Sequence, residues 1–365
     1  LRARYEDATY FWRADQTKPP AALRQAIGRL TFTDRLGSMA DRATRIASIA
    51  ADLARLVHLP ADETSTPARA GQLVKFDLAS QMVVELPGLA GVMAREYARR
   101  AGEPEPVAQA LFETELPRSA SDSLPKTRPG ALLALADRFD LITGLFAIGA
   151  MPTGSSDPYG LRRAALGVVS ILRAHPELEP ITLTHGLRLA AIHQSVPVSD
   201  DVLDQVTSFI ARRFEQHLLD AGHPHQLVQA VLPLAGTPAR LDLTLAELAQ
   251  RAGDPSFVSL AEALGRVRRI LPSDASADYD PAMLTEPAEL ALHEAVTKLQ
   301  ASLGDQPTGL ARFVDAAQPL VGPINNFFDA VLVMAKDPQV RYQRLGLLAA
   351  IRNLADSVLD WTELA

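Results

Sequence analysis

The sequence predicts an all-α protein, and three observations carry that expectation. Leucine and alanine dominate its 365 residues while aromatics make up only 5%, a composition that suits helices better than strands. Helix-start signals recur. Asp157-Pro158, Asp254-Pro255 and Asp337-Pro338 each put a side-chain acceptor at an N-cap and proline at N1, ahead of a periodic apolar run. Strand signals are nearly absent, with no sustained alternation and no Asn-Gly hairpin.

Taken in order, the chain opens on RARYEDATYFWRAD, which reads as helix with no signal peptide ahead of it; the expectation is a cytoplasmic piece of a longer polypeptide. LGSMADRATRIASI (36–49) is a second helix. PADETSTPARAG (60–71) and TELPRSASDSLPKTRPG (114–130), rich in proline, serine and small residues, read as loops. Between them LVKFDLASQMV (73–83) reads as a buried helix with one carboxylate, Asp77. The most apolar stretch, 131–151, holds Asp137, Arg138 and Asp140 and so is not a membrane span. In PTGSSDPYGLRRAALG (152–167), Gly154 permits a tight turn, and Leu161, Ala165, Leu166 and Val169 form one apolar face.

AHPELEP (174–180) marks a domain edge, and ITLTHGLRLAAIHQ (181–194) reads as a capped helix. VLPLAGTPARLDL (231–243) and LPSDASADYDPA (271–282) divide the second half. In PINNFFDAVLVMA (323–335), Ile324, Phe327, Phe328, Val331 and Met334 follow helical spacing as core. No fixed-period repeat is present. The expected organisation is three helical parts, 1–175, 176–243 and 244–365.

Lys and Arg total 36 against 43 Asp and Glu, a net charge of −7, so a nucleic-acid surface has to be a local patch on an acidic body. Arg341, Arg344 and Arg352 fall within a narrow arc of the last helix, and Arg266, Arg268 and Arg269 cluster in GRVRRI. Each group is either a solvated face or a set of phosphate contacts. Asn325 and Asn326 lie off the apolar face of their helix, where amides can read base edges. Arg162 and Arg163 are set either against RNA phosphate or against acids such as Asp137 and Asp140. The absence of cysteine excludes disulfides, thiolate zinc sites and cysteine nucleophiles. His217, His223 and His225 could coordinate zinc in principle, but Gly222 and Pro224 place them at an exposed interhelix loop.

Asp77 on one helix and Asp137 on a later one, LALADRFDLITGLF, resemble the pattern of the HD superfamily of metal-dependent phosphohydrolases. Those proteins hold divalent ions through a histidine, a His-Asp doublet and a distant aspartate, activating water against a phosphate ester. On that pattern Phe76-Asp77 falls at the doublet, so phenylalanine stands where the histidine belongs. The preceding helix, 36–49, has no histidine, and His58 is the only one before His175. The resemblance implies the fold with degenerate acids and no metal. The plain reading is that both are packed acids satisfied by Arg42, Lys75, Arg138 or helix N–H groups.

DRFDLITGLFAIGAMPTGSSDPYGLRRAALGVVSIL (137–172) resembles a block of the β subunit of bacterial tetrameric glycyl-tRNA synthetases more specifically. LGSMADRATRI (36–46), KFDLASQMVVELPGLAGVMAREYA (75–98) and NNFFDAVLVMAKDPQVRYQRLGLLAAI (325–351) extend the match through nearly the whole chain. The resemblance implies the C-terminal part of that subunit: an HD-like helical domain, a helical linker and a DALR-like anticodon-binding bundle. It implies glycine tRNA, the α subunit and the N-terminal remainder of the β subunit as partners, with no membrane. No P-loop, class I nucleotide signature or arginine-bearing class II motif is present. The family accounts for this, because ATP and Mg2+ serve the α subunit; no catalytic residue and no cofactor are expected here. The alternatives are a divalent-metal phosphohydrolase and a purely architectural helical module.

Overall fold

A computed structural model describes residues 2–304 and 309–364. The chain divides into two compact units, Leu1–Phe214 and Glu215–Ala365. The helices of the first are α1 (Arg2–Asp15), α2 (Pro20–Ala26), α3 (Met39–Leu56), α4 (Ala61–Leu73), α5 (Gln81–Glu85), α6 (Val92–Arg100), α7 (Glu105–Glu113), α8 (Arg128–Ala147), α9 (Leu161–Ala174) and α10 (Leu183–His193). Helix α11 (Asp200–Asp220) runs into the second unit, followed by α12 (His225–Val231), α13 (Pro238–Arg251), α14 (Pro255–Ile270), α15 (Pro287–Leu303), α16 (Leu310–Ala317), α17 (Val321–Ala330) and α18 (Pro338–Ala355). The all-α expectation holds, with one small antiparallel hairpin, β1 (Thr31–Thr33) and β2 (Gly37–Ser38), among the described residues. No described helix is long and apolar enough to cross a membrane.

The first unit is built around α8, in which every residue from Pro129 to Phe146 except Leu141 is buried. A helix buried on all faces has no solvated side for its polar residues, so Asp137, Arg138 and Asp140 must find partners inside. Helices α3, α4, α7, α9 and α10 surround it. Helix α3 starts on a capping box between Ser38 and Asp41 and turns Arg42 and Arg45 inward. Arg45 Nε donates to Asp140 Oδ1 at 2.6 Å and Arg42 Nε to Asp140 Oδ2 at 3.2 Å. Asp15, at the end of α1, accepts the N–H groups of Gln81 and Met82 at 2.8 and 3.0 Å and the Tyr97 hydroxyl at 2.8 Å. A buried acid thereby closes the start of α5.

In the second unit Trp361 is buried against the rings of Phe257 and Phe313, 5.9 and 5.6 Å away. Glu289 accepts the Thr285 and Glu286 N–H groups through one oxygen, capping α15. Its other oxygen takes Arg344 Nε from α18 at 2.6 Å.

Several expectations need correction. The stretch 73–83 is not one helix: Lys75 adopts φ 64, and a 3-10 turn (Phe76–Ala79) and α5 follow separately. The supposed loop at 60–71 is α4, whose Thr66, Pro67, Ala70 and Gly71 are buried; its apolar side outweighs the missing N–H of Pro67. Asp254 and Asp337 are N-caps as expected, but Asp157 is not. Helix α9 begins at Leu161 after a left-handed Gly160, and the Asp157 carboxylate reaches forward to the Leu161 and Arg162 N–H groups at 2.8 and 2.9 Å. Helix α17 ends at Ala330. Beyond it Val331 and Val333 are buried while Leu332 and Met334 are exposed, the period of extended chain, so Met334 is not core.

Asp140 pairs with two buried guanidinium groups, so Asp140→Ala leaves Arg45 without its counter-charge and Arg42 with Asp137 alone. The expected loss is about 3–5 kcal/mol of first-unit stability. Urea unfolding followed by Trp12 fluorescence, in a Trp361→Phe background that silences the second unit, reads it. A loss below about 1 kcal/mol would show that the arginines find other partners.

Candidate functional site

The polar centre of the first unit lies around Asp137. Arg42 Nη2 donates to Asp137 Oδ1 at 2.7 Å, and Lys75 Nζ donates to Asp137 Oδ2 at 2.9 Å and to Glu115 Oε1 at 2.6 Å. The left-handed turn at Lys75 aims its ammonium inward. Burial alone would lower the pKa of Lys75 and Arg42, but the facing carboxylates outweigh it and raise both. Asp137 shows the reciprocal effect: burial pushes it up, and Lys75, Arg42 and Arg138 outweigh that to hold it at about 2.

Arg138 is different. Its Nη1 donates to the carbonyls of Thr114 (3.3 Å) and Ala134 (2.8 Å), and its Nη2 to that of Pro117 (2.9 Å). These are all carbonyl partners, so no carboxylate pairs with this buried cation, and burial lowers its pKa. Gly167 on α9 makes room for it, since a Cβ there would sit 2.5 Å from Arg138 Nε. Beside these groups opens a cavity of about 360 Å3 lined by five cations, Arg42, Lys75, Arg118, Arg138 and Arg163, against two carboxylates, Glu115 and Asp137. Arg118 donates to the Gly88 and Ala90 carbonyls, and Tyr159 and Gly160 complete the wall near α9.

Asp77 stands apart from Asp137. Its Oδ2 accepts the Gly91 N–H at 2.7 Å, and the two carboxylates share no hydrogen-bond donor. Both oxygens of Asp137 are taken by cations of the chain itself. Among the described residues no three histidine or acidic side chains are grouped to hold a metal ion. His217 ends α11, and His223 and His225 lie exposed at the loop and start of α12. Arg162 bonds the Gly154 and Ser156 carbonyls rather than an acid, whereas Arg163 is exposed and has no hydrogen-bond or ion-pair partner among the described residues. Glu115, Arg118 and Tyr159 escaped the sequence reading because two lie in a segment marked only as loop and the third in a turn.

In the second unit the candidate residues have unequal surroundings. Arg344 is held by buried Glu289 and by the Leu332 carbonyl. Arg352 Nη2 donates to the Ala275 carbonyl at 2.8 Å, and Arg268 pairs with Asp356 at 3.3 Å. Arg341 is half-buried, with one contact to the Ala335 carbonyl at 3.4 Å. Arg269 is exposed without a hydrogen-bond or ion-pair partner among the described residues. Arg266 lies 4.6 Å over the Phe328 ring and donates to Asn325 Oδ1 at 3.0 Å, while Asn326 is exposed.

Asp77 gives a pH prediction. Burial, with the Glu115 charge adding, pushes its carboxyl up from 3.8 to about 6, against the pull of the Gly91 N–H and Lys75. The folded state therefore keeps a proton that the unfolded chain has lost, and stability falls as pH rises through that window. Asp77→Asn keeps an oxygen for Gly91 and removes the charge. Its melting temperature relative to wild type is expected to rise between about pH 4 and about pH 7, by the equivalent of about 2 kcal/mol. A constant gap across that range would mean that Asp77 does not titrate there.

The family model described as glycyl-tRNA synthetase beta subunit matches residues 1–233. Similar proteins include the glycine–tRNA ligase beta subunits of Chromohalobacter salexigens, 38% identical over all of this chain and 53% of its own length, and of Levilactobacillus brevis, 36% identical over all of this chain and 54% of its own. The glycine–tRNA ligase, chloroplastic/mitochondrial 2, of Arabidopsis thaliana is 34% identical over 99% of this chain and 34% of its own length. The chain thus spans about half the length of the bacterial relatives. With the family model matching well over half of the residues, the chain belongs to the glycyl-tRNA synthetase beta subunit family.

Proposed function

We propose that this chain is a non-catalytic, tRNA-binding part of a glycine–tRNA ligase beta subunit, supporting ATP- and Mg2+-dependent glycylation by an alpha subunit in the cytoplasm. On this reading the first unit carries an HD-like shell without its metal set, and the second carries an anticodon-binding bundle. The supporting observation is the group on α14 and α17. The Arg266 guanidinium is stacked on Phe328 and tied to Asn325, with Asn326 and Arg269 exposed on the same two helices, Arg269 without a hydrogen-bond or ion-pair partner among the described residues. A guanidinium plane with adjoining amides is suited to splayed bases, and free arginine to phosphate.

The phosphohydrolase alternative has little chemical support here. Lys75 and Arg42 occupy both oxygens of Asp137, so a divalent ion would have to displace two buried cations. Added manganese is expected to release no phosphate from nucleotides.

Binding of glycine tRNA by gel shift or anisotropy tests the proposal. Arg269→Ala and Arg266→Ala are expected to weaken it and to reduce the salt slope by about one per lost phosphate contact. Arg266→Ala should also narrow the preference over an anticodon-mutated tRNA. Unchanged affinity and slope in both variants would favour the architectural module instead. Arg344→Ala is a poor RNA probe. It strands the buried Glu289 carboxylate and is expected to cost about 3 kcal/mol of second-unit stability, read by Trp361 fluorescence.

A further inference from the structure

The cavity beside Asp137 carries more positive charge than its own acids neutralise, and its walls show which cations are left over. Lys75 and Arg42 are committed to Asp137, with Lys75 also on Glu115. Arg138 is buried and bonded only to carbonyls. Arg163 has no hydrogen-bond or ion-pair partner among the described residues, and it lies close enough to Arg138 for their like charges to oppose one another. Gly160 holds this arrangement in place: at φ +67 it turns the chain into α9, and a Cβ there would sit 2.6 Å from Arg163 Nη2. The α9 N-terminus does not supply the attraction, because the Asp157 carboxylate already takes its first two N–H groups. Asp137 and Glu115 offset part of this repulsion at Arg138, but two carboxylates against five cations leave the recess positive, and a further anion would be favoured there.

The geometry points to a phosphate-binding site for a nucleoside monophosphate in this cavity, with the phosphate dianion between Arg163 and Arg138 and the nucleoside beside Tyr159. Three properties select that class. Guanidinium groups match phosphate oxygens with two parallel hydrogen bonds. A volume of about 360 Å3 lies in the range of small-ligand pockets and admits one nucleotide. Tyr159, 41% exposed and edge-on to Phe32, offers an aromatic surface next to the cations. The two cavity carboxylates, Asp137 and Glu115, are both paired with Lys75, so the site is proposed to bind rather than to hydrolyse. It is separate from the RNA reading of the second unit and stands or falls independently of it.

Isothermal titration of the 365-residue chain with AMP, inorganic phosphate and adenosine tests the site. Saturable AMP binding is expected, competed by phosphate and at least about tenfold weaker for adenosine, which lacks the charge-assisted contacts. Arg163→Ala, an exposed change with an unaltered melting temperature as its control, is expected to weaken AMP by at least about tenfold, with partial recovery in Arg163→Lys. The proposal is overturned if AMP shows no saturable binding at millimolar concentration, if adenosine binds as well as AMP, or if Arg163→Ala keeps full affinity. Binding of a 5′-phosphorylated RNA but not of AMP would overturn the free nucleotide as the ligand.

Discussion

The first unit depends on counter-charges for the acids of α8. A helix enclosed on nearly every side cannot turn Asp137 and Asp140 to water, and an unpaired buried carboxylate costs more than most single contacts return. The unit meets this by bringing three basic side chains from two other segments, Arg42 and Arg45 from α3 and Lys75 from a left-handed turn. Much of the local geometry is set by those pairings. The Ser38–Asp41 capping box fixes where α3 starts and hence which of its residues face α8. The φ of Lys75 interrupts what would otherwise continue as helix, and Asp15 then closes the new helix start at Gln81. Gly167 is small because Arg138 passes beneath it.

What could be read from the sequence divides along the same line. Helix content, the caps at Asp254 and Asp337 and the capped helix after Thr182 were legible, because they depend on residues within one turn of each other. The break at Lys75 was not. LVKFDLASQMV has the apolar density of a helix, and only ion pairs to Asp137 and Glu115, 62 and 40 residues away, make the left-handed turn worthwhile. Helix α4 was hidden for the opposite reason: its Ser, Thr and Pro content signals a loop locally, while burial against α3 decides the outcome. The end of α17 was missed because Val331, Val333 and Met334 fit two periods at once until burial shows which applies.

The site was legible in part. Asp77, Asp137 and their candidate partners Arg42, Lys75 and Arg138 could be named from the residues, but not who pairs with whom. The structure gives Asp137 to Arg42 and Lys75, gives Asp77 a backbone N–H, and leaves Arg138 on carbonyls. The second unit shows the same limit. Helical spacing put Arg341, Arg344 and Arg352 on one arc, yet Arg344 serves buried Glu289 while Arg341 has a single long contact. Spacing determines which face a side chain leaves from, and long-range partners determine whether it is free.

Positive charge that is covalently part of the chain gives the cavity beside Asp137 a different chemistry from a metal centre. An exchangeable divalent ion can leave, and the acids around it then repel one another or take up protons. Lys75 and Arg42 cannot leave, so Asp137 is held ionised at about 2 and remains a fixed acceptor. Both of its oxygens are occupied by these fixed cations. The same permanence leaves net positive charge in the recess, which five cations, Arg138 and Arg163 among them, line against two carboxylates. Chloride could neutralise them only weakly, while a phosphate offers three oxygens in the geometry that guanidinium groups fit. On the reading proposed above, fixed positive charge of this kind suits the recess to hold a phosphate intact.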